Sequence, residues 1–422
     1  MSGIARRRVV ITGLGVVAPN GVGKEAFWQA CIAGRSGVRQ ITSFAARDLP
    51  ARIAGEIPDF KPEELGLTAE ERMRMDRGTQ LGIAAANLAL RDANLNTVTE
   101  EERDAIGVCM GAAMASIAEG EGLWAQLTKR GRRQLPMRID AAVSDSAFLT
   151  NAAASAIAAH HQLHGPSVVI STGCSAGTDA IGHAFWTIQD GQADRMLAGG
   201  ADSSISFGGL NVFSVMGALS TRNDEPARAS RPYDAGRDGF VMAEGAGVLL
   251  LEERDLALAR GAHLYAELAA YCSNSNAFHM TALPVDGAPL QQLLRDTLEE
   301  AAISPTQLDY INSHGSSTPA NDLAETTAYK AVLGESAYHI PISATKSMIG
   351  HAQGAAGALE AIVTALVIDE QILPPTINQE TPDPQCDLDY VPNVARRSTV
   401  DIALTHSSGF GGLNAALVLV RP

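Results

Sequence analysis

Apolar residues in this chain recur in short blocks, and the blocks alternate between two periods. Runs rich in β-branched and aliphatic side chains at residues 8–12, 106–110, 167–171, 196–201 and 247–251 predict buried strands. A second series follows at 264–271, 309–312, 340–343 and 402–405, with 415–420 as the hairpin partner of the last. Between them, helical spacing marks residues 23–33, 68–92, 150–164 and 290–302. The longest of these opens on Thr68 with Glu71 three residues later, the pattern of a capping box.

The two series have the same grammar. ISTGCSAGTDAIGHA and ISATKSMIGHAQGAAG are each a strand, a small-residue turn and a small-residue helix. Each is followed by a helix, a strand and a Gly-rich turn, AGGADSS in one case and SSGFGGL in the other. The chain therefore reads as a duplicated α/β unit, residues 1–262 and 263–422, whose copies pack together and aim their elbows at one central cavity. Cys174 comes from the first copy; His314, Lys346, His351 and Phe410 come from the second.

Composition fits this picture. The chain has 422 residues, 46% of them apolar, and 40 glycines for its many tight turns, enough for a large core. A net charge of −15 argues against a nucleic-acid partner or an anionic membrane surface. The five cysteines are scattered without CxxC spacing, as expected in a reducing compartment with no disulfide framework or structural zinc. The start, MSGIARRRVVITGLG, lacks the apolar core of a signal peptide, and the apolar helical run at 361–368 is too short to span a bilayer. These features predict a cytoplasmic protein.

Two apparent motifs are set aside. Gly13-Leu14-Gly15-Val16-Val17-Ala18 matches the dinucleotide fingerprint, yet Pro19, Asn20 and Gly21 break the helix that a pyrophosphate needs. His160 and His164 have helical metal-ligand spacing but no third ligand nearby, and read as surface histidines. Lys129, Arg130, Arg132 and Arg133 form a basic loop that either meets an acidic partner or lies in solvent.

Cys174 carries the candidate chemistry. It sits at a strand-to-helix elbow, where free N–H groups and the helix dipole favour a thiolate, and its small neighbours leave room for a substrate arm. A cysteine at a helix start with two histidines on Gly-rich turns suits acyl transfer through a thioester. The N–H groups of Cys174 and of Phe410, which follows Gly409 on a flexible turn, would hold the tetrahedral oxyanion. Neutral His314 and His351 would donate to a thioester oxygen where enolate charge develops. Lys346, paired with Glu325 or Glu360, would set the local field.

The motifs STGCSAG, SRPYDAGRDGFVMAEGAG, NSHGSSTPANDLAE, ATKSMIGHAQGAAGALE and SGFGGLNAA occur in order along the chain. With them the sequence resembles the β-ketoacyl synthases of the thiolase-fold superfamily over essentially its whole length. That resemblance implies an α/β chain with a thiolase-like fold, a duplicated αβαβα layered sandwich that assembles as a dimer. It implies acyl chains carried on the phosphopantetheine of an acyl carrier protein, with no other cofactor and no metal. Cys174 would be acylated, and malonyl-carrier protein would lose CO₂ with help from His314 and His351. The enolate would then attack the acyl-Cys thioester and lengthen the chain by two carbons. By position, Lys346 and Glu325 match the family's buried ion pair, and Phe410 its gate. Ser316 and Thr318 match hydroxyls that contact the phosphopantetheine arm, Arg72 and Arg74 the cations offered to the carrier, and Ala112 to Met114 the dimer-side end of the acyl tunnel.

Within the family, TGCSAG, SNAFHMT, INSHGSSTPANDLAETTAYK and TPDPQCDLDYVPN resemble the ketosynthase subunits of bacterial type II polyketide synthases. Those subunits pair with a chain-length-factor partner that lacks the active cysteine. Fatty-acid elongation synthases, which work as homodimers, share most of the same motifs. An intact cysteine motif with both histidines argues against a non-catalytic partner subunit. A degradative thiolase would want a second cysteine near residues 405–414, and none is there. Two departures stand out: His406 and Ser408 occupy positions where Asn and Phe are common, and Leu413 replaces the usual Thr.

Overall fold

The first strand, β1 (Val9–Ala18), runs straight through the glycines that the sequence places in a turn. A helix lies too close to this strand for side chains there. A Cβ on Gly13 would stand 2.3 Å from the Ala89 carbonyl oxygen, and one on Gly15 only 1.8 Å from that of Ala85. The fingerprint-like run is thus a packing surface and not a nucleotide turn. The computed structural model describes residues 6–95, 99–115, 117–134, 149–284 and 286–422; the first five residues of the N-terminal stretch lie outside it.

The remaining strands of the first half are β2 (Ile106–Gly111), β3 (Ser167–Ile170), β4 (Arg195–Asp202) and β5 (Gly245–Glu253). Those of the second half are β6 (Ala266–Ser275), β7 (Tyr310–Asn312), β8 (Ile342–Ser343), β9 (Ile402–Gly409) and β10 (Leu413–Val420). Across the sheet they run β8-β7-β9-β10-β6-β1-β5-β4-β2-β3, with Gly21–Val22 paired to β1 off this path. Outward from the centre, each half repeats one order: first strand, fifth, fourth, second, third. Both halves also repeat one pairing pattern, two antiparallel contacts followed by two parallel ones. Antiparallel pairing of Val9 with Leu268, Val10 with Glu267 and Ile11 with Ala266 joins the halves.

Helices complete the layers. On the outside, α1 (Arg77–Asp92) and α2 (Ala152–His161) cover the first half. Between the halves lies α3 (Ala176–Gln189), which touches β2 and β4 on one side and β6 and β10 on the other. The outer helices of the second half are α4 (Ala288–Glu300) and α5 (Pro319–Leu333). The second central helix, α6 (Ala356–Glu370), packs on α3 and contacts both halves. Every side chain from Ala356 to Ile368 is buried, which is why this stretch has no polar face. Small residues set its distance from α3: a Cβ on Gly177 would fall 2.7 Å from the Gly354 oxygen and 2.9 Å from the Ala358 nitrogen. Burial of Leu359, Ile362 and Val363 here contributes about 1.5–3 kcal/mol per side chain. The architecture is a duplicated αβαβα sandwich of the thiolase-like α/β class. No helix among the described residues is long and apolar enough to cross a membrane.

Two expected helices differ. The single helix over 68–92 is broken: Ala69–Arg74 ends at an extended Met75, and Asp76 then caps α1 by accepting the Thr79 N–H at 2.9 Å. The expected capping box of Thr68 and Glu71 does form. The other, α2, stops at His161 with Gln162 in the left-handed region, so His164 is not on the same helix as His160.

Candidate active site

The elbow after β3 is a tight turn, Gly173–Ser175, leading directly into α3. Gly173 has φ +61°, a conformation a side chain disfavours. The hairpin of β9 and β10 lies over this elbow. Ser175 Oγ donates to the Leu413 carbonyl at 2.8 Å, and Thr178 Oγ1 meets Ser407 Oγ at 2.8 Å. Gly409 comes close enough that a Cβ there would sit 3.0 Å from the Cys174 nitrogen. The backbone N–H groups of Phe410 and of Cys174 itself both act on the Cys174 sulfur to favour its charged form, at the place where the sequence expects an oxyanion hole.

The resting sulfur is a thiol. Burial pushes the Cys174 pKa up to about 11, outweighing the pull of Lys346 and of the two N–H groups. The N–H groups at the elbow do favour the thiolate, as expected, but they are outweighed: at a residue only 8% exposed, burial costs the charged form more than they return. Alkylation of free Cys174 by iodoacetamide is therefore expected to keep accelerating from pH 7 to pH 10. A rate that levels off near pH 7 would show a stabilised thiolate instead.

Both histidines are fixed from behind. His314 follows β7, and Lys346 Nζ donates to its carbonyl oxygen at 2.7 Å and to its Nδ1 at 3.2 Å. An ammonium only donates, so Nδ1 accepts and the ring proton sits on Nε2. His351 lies not on a helix, as its sequence context suggests, but in the break that follows Lys346–Ile349, where Gly350 has φ +79°. Its Nδ1 accepts the Gln353 N–H at 3.2 Å, which again leaves the proton on Nε2. The two rings meet edge to face, centroids 5.3 Å apart at 83°. Burial first, and then Lys346, hold both pKa values well below the ordinary histidine range, so both rings are neutral. A cavity of about 430 Å³ opens over Cys174, His314 and His351.

The carboxylates correct one expectation. Lys346 pairs with Glu360, both essentially buried, and burial pushes Glu360 up to about 7 against the pull of that lysine. Glu325 lies elsewhere. It accepts the Gly315 N–H on both oxygens, at 3.1 and 3.2 Å, and the Tyr233 hydroxyl. Burial and neighbouring Asp322 push its pKa up to about 8. The matched pair Lys346–Glu325 is thus replaced by Lys346–Glu360: α6 delivers Glu360 to the ammonium, whereas α5 turns Glu325 toward the Gly315 peptide.

Ser316 and Thr318 line the same cavity and bond to each other at 2.9 Å. Phe410 stands at the mouth, 37% exposed and stacked on Phe213 at 6.0 Å. Ser408 and Gly409 form part of the wall, and Leu413 closes the hairpin opposite Gly409. Arg72 and Arg74 do not line this cavity; Arg72 pairs with Glu63 at 3.3 Å and Arg74 with Glu70 at 2.9 Å. Lys129, Arg130, Arg132 and Arg133 are exposed. His160 meets Glu71 and His164 meets Asp104, so the two do not converge on one point. A larger recess, about 680 Å³, lies near Arg77, Glu119 and Phe207. It contains none of the convergent groups; of its two cations, Arg77 is paired with Glu244 at 2.6 Å and Arg130 is exposed.

Two residues at the site escaped sequence reasoning. Gln353 Oε1 accepts from Cys174 Sγ at 3.8 Å, from a residue at φ +50°. Asp202, at the end of β4, takes the N–H groups of Ala113 at 2.8 Å, Met114 at 3.1 Å and Gly354 at 2.6 Å, and so clamps the two halves behind the cysteine. The only visible signal was an acidic residue ending the AGGAD turn, which the strand pattern could not distinguish from a surface aspartate.

A buried thiol facing two neutral imidazoles across a duplicated α/β sandwich is the frame of a condensing acyltransferase. The Beta-ketoacyl synthase, N-terminal domain family matches residues 6–257, and the Beta-ketoacyl synthase, C-terminal domain family matches residues 265–380. The chain belongs to the β-ketoacyl synthase family. It is 44% identical over 423 residues to the tetracenomycin polyketide synthase ketoacyl synthase alpha subunit of Streptomyces glaucescens, covering 99% of this chain and 98% of that one. It is 42% identical over 422 residues to 3-oxoacyl-[acyl-carrier-protein] synthase 2 of Synechocystis sp., covering 100% of both. Among solved structures it resembles a type II polyketide synthase acyl-carrier protein in complex with its ketosynthase bound to the hexaketide. That similarity has a TM-score of 0.90 at 40% identity over 99% of this chain and 100% of the other.

Proposed function

We propose that this chain is the ketosynthase subunit of a bacterial type II polyketide synthase. It would join a malonyl unit on an acyl carrier protein to an acyl group held on Cys174. The observation that carries this reading is the convergence of Cys174 Sγ with two imidazoles whose Nδ1 atoms are both occupied from behind, leaving two Nε2–H donors for the cavity.

In the first step Cys174 Sγ attacks the acyl thioester of the carrier arm. The tetrahedral oxygen takes the N–H groups of Cys174 and Phe410, and the phosphopantetheine thiol leaves with the cysteine's proton. In the second, the malonyl thioester oxygen receives both Nε2–H bonds from His314 and His351. The carboxylate leaves as CO₂, and the electron pair forms an enolate that these donors stabilise. The enolate carbon then attacks the acyl-Cys carbonyl and expels the sulfur. Ser316 and Thr318 would hold the arm, Phe410 and Gly409 would gate the entrance, and Lys346 with Glu360 would fix His314. No bound cofactor is called for, since the carrier's phosphopantetheine brings both substrates. We read residues 1–262 and 263–422 as the two halves, which the repeated strand order supports, and place the enzyme in the cytoplasm.

The proposed partners are an acyl carrier protein and a homologous chain-length-factor-like subunit lacking the cysteine; the relative from Streptomyces glaucescens is itself named an alpha subunit. The 3-oxoacyl synthase relative supports the second reading, a fatty-acid elongating homodimer. Co-expression separates them. Co-purification with such a subunit, and poly-β-keto products only from the pair, are expected. A homodimer that extends saturated acyl-carrier substrates unaided would favour the alternative. Arg72 and Arg74 are proposed to meet the acidic carrier. Replacing both by Glu is then expected to raise KM for malonyl-carrier by about tenfold while leaving kcat with small-molecule thioesters unchanged.

A further inference from the structure

We propose that His406 is a positioning residue that ties the strand ending at the Phe410 gate to the turn carrying His314. The proposal rests on the ketosynthase reading above, because its readout is decarboxylation. His406 is wholly buried on β9 and shares a strand face with Leu404 and Ser408. Its Nε2 bonds to the Tyr329 hydroxyl on α5 and lies 3.8 Å from Glu325 Oε1. Tyr329 lies beside Tyr233, and the Tyr233 hydroxyl donates to Glu325 Oε2. Glu325 holds the Gly315 N–H with both oxygens, and Gly315 directly follows His314. His406 therefore reaches Glu325 directly, at 3.8 Å, and by way of the neighbouring Tyr329 and Tyr233, and Glu325 leads through the Gly315 peptide to His314.

Two features make the Nε2 contact the anchor. Nδ1 of His406 is buried with no hydrogen-bond partner among the described residues, so the ring is held through one nitrogen. The ring is also neutral, because burial and Lys346 push its pKa down to about 3; it acts through a directed hydrogen bond rather than through charge. A hydrogen bond in the low-dielectric interior is stronger than one in water, so the single Nε2 contact carries the placement of the ring. The geometry fixed here is the peptide on which a proton-donating imidazole is mounted.

The test compares His406→Gln, His406→Asn, His406→Phe and Tyr329→Phe with the native enzyme. CO₂ release from malonyl-carrier and acylation of Cys174 are measured in parallel. Gln places its amide near the position of Nε2, Asn ends near that of Nδ1, and Phe keeps the ring without a polar atom. Decarboxylation kcat is expected to fall about tenfold in the Asn, Phe and Tyr329→Phe variants, at unchanged KM, and to recover in Gln. Cys174 acylation should stay within about twofold throughout, a split that general loss of structure does not produce. Equal decarboxylation in all five proteins, failure of Gln to recover it, or parallel loss of acylation in every variant would overturn the proposal. His314→Ala separates the two levels of inference. If it decarboxylates normally, the ketosynthase reading itself fails; if it is inactive while the His406 series is flat, only this proposal falls.

Discussion

Cys174→Ala is expected to abolish chain extension while CO₂ release from malonyl-carrier protein continues. Removing the sulfur removes the atom on which the acyl group waits, and the nearest polar neighbours are poor substitutes. Gln353 Oε1 is an amide oxygen, and the histidine Nε2 atoms carry protons. Loss of a covalent nucleophile costs on the order of 10³-fold or more in turnover. The decarboxylating donors are held by a separate set of contacts, from Lys346 to His314 and from Gln353 N–H to His351, and none of these passes through the sulfur. The substitution deletes one buried atom, a cost of about 1 kcal/mol, so the fold should survive to report the split. Mass spectrometry of carrier-bound products alongside CO₂ release is the measurement; extension at even a few per cent of native would contradict the assignment.

The placement of Cys174, His314 and His351 around one cavity was largely legible in the sequence, because it is written in short local motifs. A β-branched run, a small-residue turn and a small-residue helix place Cys174 on an elbow whatever the rest of the chain does, and the same grammar repeated around Lys346 and His351 reveals the duplication. Failures came where a distant partner decides. Gly13 and Gly15 look like turn glycines until α1 is known to lie against them. Helical periodicity carries through Met75 and Asp76, although Asp76 can also cap a new helix, and tertiary packing chose the break. Lys346 had two carboxylates to choose from, Glu325 before it and Glu360 after it, and only the relative placement of α5 and α6 assigns Glu360. The net protonation of Cys174 was not legible for a related reason. The helix start is a local feature visible in sequence, whereas the desolvation that outweighs it exists only once the chain has folded around the sulfur.

That same desolvation makes Lys346 costly to replace. Lys346→Met is expected to destabilise the protein by about 3–5 kcal/mol, because Glu360 then remains fully buried without its ion-pair partner. The effect has a pH signature with a definite sign. Glu360 is held at about 7 in the folded protein, above its ordinary value near 4.5. Between those values the folded state binds a proton that the unfolded chain has released. Its contribution is therefore complete below about pH 4.5 and is lost as pH rises through 7. Without Lys346 the carboxyl titrates higher still, so the decline should continue into the alkaline range, and denaturant unfolding at pH 6 and pH 9 should diverge more in the variant than in the native protein. Adding Glu360→Gln removes the stranded charge and should restore most of the stability and flatten the pH dependence. It should not restore decarboxylation. His314 Nδ1 will have lost the ammonium that fixes its tautomer, and His314 and His351 will have lost the positive neighbour that helps keep them unprotonated. A double variant that regains both stability and decarboxylation would mean that Lys346 only balances Glu360 and does not hold the histidine.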